Sequence, residues 1–247
     1  MPSIDLNADL GEGCGSDAEL MPLLSSASIA CGGHAGDAAS MRECVRLALR
    51  HAVRIGAHPS YPDREHFGRR SLVLPPETLL ASLSAQYQAL AAICREEGAS
   101  IAYVKPHGAL YNDACRDAAL AARLAGWVAT LPGAPALMGL PGSRLAMAAQ
   151  DAGLRYQAEG FADRAYRADG ALLPRSEPGA LLDDAAALAQ VRELVLHQQV
   201  RTKAGESVKC RIDTLCLHGD NPAAIRQARQ IRGLLDTLSV TVTSAQM

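Results

Sequence analysis

Four histidines in this chain close segments that read as β-strands: SIACGGH ends at His34, RIGAH at His58, YVKPH at His107 and LCLH at His218. Imidazole exchanges a proton near neutral pH and binds metal ions, so four of them at matching places in successive units point to acid–base or ligand chemistry. Carboxylates accompany them. Asp5, Asn7 and Asp9 alternate along the first segment and share one face of a strand, while Glu12, Asp37, Asp63 and Asp220 stand in loops that follow strands. Lys105 precedes His107 by two residues and lies on the same side, which sets an ammonium beside imidazole and carboxylate groups.

Each of these residues also has a plainer reading. A single strand-end histidine is commonly a hydrogen-bonded structural residue, and Asp5 and Asn7 can bridge neighbouring strands. The convergence of several on one rim favours a site. His51 and His197 fall within helical patterns and read as structural. Arg69 and Arg70 after Phe67-Gly68, and Arg164, Arg167 and Arg175 further on, can grip a carboxylate or phosphate through paired hydrogen bonds; solvated surface positions are the default for arginine. The fragment GEGCGS matches neither GxxxxGK[ST] nor GxGxxG, so no loop motif argues nucleotide binding. There is no HExxH motif or compact His/Asp pair, and spacing assigns no metal ligands.

Strands and helices alternate in a way that would place these groups together. Short β-like runs span Ile4 to Asp9, Ala27 to Cys31, Val53 to Ala57, Ile101 to Val104, Ala136 to Gly139, Leu154 to Ala158 and Thr214 to Leu217. Between them apolar residues return every three or four positions, as in Met41, Cys44, Val45, Ala48 and Leu49. Ser16 with Glu19 reads as a capping box, and Asn221-Pro222 as an N-cap with proline at the first helical position. A β/α succession of this length suits a parallel barrel, whose C-terminal strand ends form the active face. One domain covers 1–247, with a long loop at 160–179 and a β-hairpin at 199–211.

Composition excludes several function classes. The 247 residues carry 24 Lys plus Arg against 26 Asp plus Glu, without charge blocks, so no nucleic-acid or anionic-membrane partner is expected. No run approaches the roughly 18 apolar residues of a spanning helix, which points to a cytoplasmic protein. The seven cysteines are scattered without a CxxC pair, and most read as small buried hydrophobes, Cys31 and Cys216 included.

The segments DLNADLGEG (Asp5 to Gly13), SIACGGHAGD (Ser28 to Asp37), IGAHPSYPD (Ile55 to Asp63), FGRR (Phe67 to Arg70), VKPHGALYN (Val104 to Asn112), FADRAY (Phe161 to Tyr166) and LHGDNP (Leu217 to Pro222) closely resemble the LamB/YcsF family. The resemblance implies a seven-stranded β/α barrel, TIM-like and of the glycoside hydrolase/deacetylase type. It also implies ATP-dependent opening of 5-oxoproline (pyroglutamate) to L-glutamate, carried out with partner subunits PxpB and PxpC. ATP would be hydrolysed by the assembled complex, with a divalent metal accompanying it. For that chemistry Asp9 and His107 are the first candidates for base and acid, with Lys105 steadying negative charge and His34 and His58 beside them. Asn7, Asp37, Arg70, Arg167, Arg175, His218 and Asp220 are the candidate substrate-binding residues. The alternatives are a metal-dependent amide hydrolase or deacetylase, and a ligand-binding subunit without catalysis.

Overall fold

The computed structural model of this chain describes residues 2–219 and 223–244. From the N-terminus, β1 (Ser3–Leu10) leads through α1 (Asp17–Leu20) to β2 (Ser26–Ala30), α2 (Ala38–Arg50), β3 (Arg54–His58), α3 (Pro76–Glu96), β4 (Tyr103–Val104) and α4 (Gly108–Arg116). Next come α5 (Ala118–Ala129), β5 (Ala136–Gly139), α6 (Arg144–Asp151), β6 (Tyr156–Phe161) and α7 (Asp184–Arg192). An antiparallel hairpin of β7 (Gln199–Arg201) and β8 (Ser207–Lys209) precedes β9 (Thr214–Leu217), α8 (Ala224–Thr237) and β10 (Thr241–Val242).

The parallel strands are ordered β1-β2-β3-β4-β5-β6-β9, and β9 pairs back onto β1. This closes the seven-stranded barrel implied by the strand count. The short β10 adds to β1 outside that ring, Ser3 facing Thr241. Strand alternation divides the side chains into two environments. Leu6, Ala8 and Leu10 of β1 are fully buried in the apolar layer shared with the helices, whereas Asp5, Asn7 and Asp9 take the other face, inside the barrel. Each leucine buried in this way contributes about 1.5–3 kcal/mol.

β4 is shorter than the expected run from Ile101, yet its ladder continues past the strand. Lys105 N donates to Ala57 O (2.9 Å) and His107 N to Pro59 O (2.8 Å), so both side chains are fixed against the end of β3. The expected capping box at Ser16 does not form: α1 is a single turn, and Ser16 Oγ donates to Gly219 O (3.3 Å) instead. The N-cap read at Asn221-Pro222 lies outside the described residues. Residues 162–181, aperiodic in sequence, are tied down by bridges pairing Arg164 with Leu181 and Tyr166 with Leu172, and a third joins Tyr166 to Thr202 beside the hairpin. No disulfide forms, and no helix among the described residues is long and apolar enough to cross a membrane.

Inside the barrel, Tyr103 is fully buried with its hydroxyl 3.1 Å from Ser28 Oγ. Its ring occupies the space above Gly56, where an added Cβ would collide with it. Replacing Gly56 with alanine is therefore expected to lower stability by about 1–3 kcal/mol, read from urea unfolding. An unchanged midpoint would show that the ring can move aside.

Candidate active site

The barrel interior is polar in three tiers. At the lowest, Asp5 accepts hydrogen bonds from Ser25 Oγ and Ser26 Oγ (2.7 Å each) and from Thr214 Oγ1. Above it, Asn7 Nδ2 donates to Thr214 Oγ1 (2.8 Å) and Glu159 Oε1 (3.2 Å). The third tier begins with Lys105, whose Nζ lies 2.7 Å from Asp9 Oδ1, 2.8 Å from Glu159 Oε1 and 3.2 Å from Cys216 Sγ. Burial opposes the Lys105 charge, but the two carboxylates outweigh it and hold the ammonium well above its ordinary pKa. Burial likewise opposes the Asp9 charge, while His58 and Lys105 overcome it and keep Asp9 well below the usual carboxylate range.

Three histidines close over this tier. His58 Nδ1 lies 2.8 Å from Lys105 O, and His107 Nε2 lies 3.0 Å from Phe67 O. Carbonyls only accept, so those nitrogens carry protons, and in the neutral rings the opposite nitrogens present lone pairs. His58 Nε2 and His107 Nδ1 stand 3.0 Å apart, with Asp9 Oδ2 3.3 Å from the former and Glu12 Oε1 3.4 Å from the latter. His34 stacks on His107 at 3.6 Å between ring centroids, its Nε2 3.0 Å from Glu12 Oε1. Glu12, His34, His58 and His107 each contribute one potential ligand atom to a group spanning at most 4.8 Å, a set able to hold a metal ion. Spacing in the sequence assigned no such ligands.

The loop after β3 positions His107. Phe67 is left-handed (φ 55), which turns its carbonyl onto the ring, and Gly68 follows at φ 63. A Cβ on Gly68 would lie 3.0 Å from both His107 Cδ2 and His34 Cβ, so only glycine lets this loop approach so closely.

A pocket of about 410 Å³ opens above the cluster, lined by Asp9, Glu12, His58, Lys105 and His107 at its base. Arg69, Arg164 and Arg175 contribute to its wall, and His218 lies alongside. Arg164 is 5% exposed; it donates from Nη2 to Leu173 O, and its Nε has no hydrogen-bond partner. Burial, with the charge of Arg175 added, pushes its pKa down to about 10. His218 Nδ1 lies 2.9 and 3.0 Å from the two oxygens of Asp163, and its ring stacks on Phe161. Asp163 thus fixes the tautomer that leaves His218 Nε2 available.

The structure gathers Asp9, His34, His58, Lys105, His107, Arg175 and His218 around this pocket or directly beneath it. Asn7 lies one tier down, committed to Lys105, Glu159 and Thr214. Three expected substrate contacts are elsewhere. Asp37 caps α2, accepting from Ser40 N while Ser40 Oγ accepts from Asp37 N (2.9 Å each), because it begins a helix that leads away from the site. Arg70 is exposed and Arg69 takes the pocket position; Arg167 pairs at the surface with Glu177 (3.0 Å). Asp220 lies outside the described residues. Glu159 and Asp163 are site residues to which the sequence assigned no role, whereas Arg164, one of the arginines expected to grip a carboxylate or phosphate, lines the pocket.

The LamB/YcsF family model matches residues 4–247. The chain belongs to the LamB/YcsF family. A lactam utilization protein from Thermus thermophilus is 42% identical, with a TM-score of 0.90 over 98% of this chain and 99% of that one. The peptidoglycan deacetylase PdaC from Bacillus subtilis is 11% identical, with a TM-score of 0.51 over 98% of this chain and 87% of that one. The T48 deacetylase, solved with substrate, is 12% identical at the same TM-score, over 99% of this chain and 88% of that one. The two deacetylases share the barrel fold with this LamB/YcsF chain.

The buried imidazoles set a pH dependence. Burial, reinforced by His58, pushes His34 from 6.5 down to about 2, and burial with His34 and His58 as neighbours holds His107 well below 6.5. The unfolded chain takes up protons that the folded one excludes, so this contribution is complete above pH 6.5 and is lost as pH falls below it. Urea unfolding of metal-free protein should show stability declining from about pH 6.5 downward, by at most about 1.4 kcal/mol per pH unit for each group. A flat profile between about pH 7 and pH 5 would contradict neutral burial of these rings.

Proposed function

We propose that this LamB/YcsF chain is the barrel component of an ATP-hydrolysing 5-oxoprolinase and opens 5-oxoproline to L-glutamate together with PxpB and PxpC. The observation that carries the reading is a pocket with arginines on its wall and imidazoles and carboxylates at its base, in a chain 42% identical to a lactam utilization protein. A five-membered lactam is a stable amide, and phosphorylation of its carbonyl oxygen by ATP makes the ring carbon susceptible to water. The ring C–N bond then breaks, the nitrogen gains a proton and the ring carbon is left as an acyl phosphate, which a second water hydrolyses to glutamate and phosphate.

Each group has a part in that sequence. Arg164 and Arg175, with Arg69, hold the substrate carboxylate. The lone pairs around Glu12, His58 and His107 hold the attacking water against the ring carbon. His218, oriented by Asp163, shuttles the proton to the departing ring nitrogen. Asp9 is the first candidate for the base in the sequence, but a carboxylate so firmly ionised is a weak proton acceptor. Its part is to fix Lys105 and His58.

Glutamate release should require ATP and all three subunits; none from a folded, assembled complex would overturn the reading. A second reading, metal-assisted amide hydrolysis, is favoured by the ligand cluster at the base of the pocket and predicts glutamate without ATP. In the complete complex, Arg164→Gln should raise KM for 5-oxoproline by about 10- to 100-fold with kcat little changed. Asp163→Asn should instead lower kcat by about 100-fold or more. The reverse pattern would exchange the two roles.

A further inference from the structure

We propose that a single divalent transition-metal ion of the zinc class binds where Glu12, His34, His58 and His107 converge, with one side open to the pocket. The inference deepens the lactam-opening reading, on which it rests, by naming what holds the attacking water.

The backbone makes the case. His58 and His107 each spend their one N–H on a main-chain carbonyl, Lys105 O and Phe67 O, and so aim lone pairs at each other across 3.0 Å. Glu12 Oε1 lies 3.4 Å from His107 Nδ1 and 4.0 Å from His58 Nε2, with Asp9 Oδ2 to one side, 3.3 Å from His58 Nε2. Acceptor atoms of Glu12, His58 and His107 therefore meet where like partial charges repel. One dication attracts all three, and the Asp9 carboxylate beside them adds to that attraction. Locking a ring by its far N–H to a backbone carbonyl is also how proteins present histidine to a metal. His34 fits the same set: its Nε2 is 3.0 Å from Glu12 Oε1, and its buried Nδ1 has no hydrogen-bond partner.

Chemical type narrows the ion. Imidazoles with one carboxylate suit zinc, cobalt or nickel better than magnesium or calcium, which prefer all-oxygen shells. Glu12, His58 and His107 line the pocket, whereas His34 lies behind His107. The site thus faces the substrate on one side and is closed on the other, as a catalytic rather than a purely structural ion requires. Such an ion would lower the pKa of a water bound to it. Lys105, two residues from His107, is engaged by Asp9 and Glu159 and so does not fill the site with its own charge.

The test is titration of chelator-treated protein with Zn²⁺ by calorimetry, and with Co²⁺ by visible absorption. One ion per chain is expected, with affinity reduced at least about 10-fold in His58→Gln and in Glu12→Gln. Wild-type protein with ¹⁵N-labelled histidine supplies a readout that needs no variant: His58 Nε2 and His107 Nδ1 should shift on adding Zn²⁺, while His51 and His197 should not. No saturable binding by folded protein, or binding that leaves the His58 and His107 resonances unmoved, overturns the proposal. The two readings fail separately. An ion-free complex that still releases glutamate with ATP refutes the metal alone, and a zinc-loaded complex that releases none refutes the lactam reading alone.

Discussion

A buried ammonium has to be neutralised where it stands, and Lys105, 2% exposed, sets that requirement at the centre of the barrel. It is answered by Asp9 from β1 and Glu159 from β6. Three segments from separate parts of the chain are thereby held in one register. A shift of β1 by one residue would turn Asp5, Asn7 and Asp9 toward the helices and Leu6, Ala8 and Leu10 into the polar interior. The same ion pairs fix the floor on which the imidazoles rest, since Asp9 touches His58 and His58 touches His107. Fold and site thus share one set of charges, and apolar packing supplies the shell around them.

Much of this arrangement is legible in the chain. The alternation of Asp5, Asn7 and Asp9 with leucine and alanine identifies both faces of β1, and the histidines closing four strands locate the rim. Other features escape for physical reasons. Glu159 is missed because the sixth β-like run closes at Ala158; one further step of the period-two pattern puts Gln157, Glu159 and Phe161 on one face. Asp163 falls in a stretch without period, where spacing does not distinguish a residue that turns inward from one that turns out. The same ambiguity exchanges Arg70 for Arg69. Asp37 carries its own signal, since a serine three residues on is a helix-start pattern as well as a loop polar pair. The ligand cluster joins side chains from four segments separated along the sequence, so no local motif describes it.

The rim is held by backbone as much as by side chains. Carbonyls of Lys105 and Phe67 set the imidazole tautomers, and Phe67 reaches its place through a left-handed conformation that is unfavourable for a phenylalanine. Gly68 then brings the loop close enough to close off one side of His107. The arginines around this pocket come from the loops that follow β3 and β6.

The partners of β1 are also spread across time. Asp9 meets Lys105 at a separation of 96 residues, and Asp5 meets Thr214 at a separation of 209. As the chain leaves the ribosome, this strand therefore emerges with carboxylates whose cation does not yet exist, and whose closing hydroxyl follows 209 residues later. Contacts so distant are slow to form, and a barrel closed through them assembles late. Until then the apolar face of β1 is exposed to whatever else is nearby, so the polar interior that makes the finished protein specific also lengthens the interval in which the nascent chain depends on being shielded.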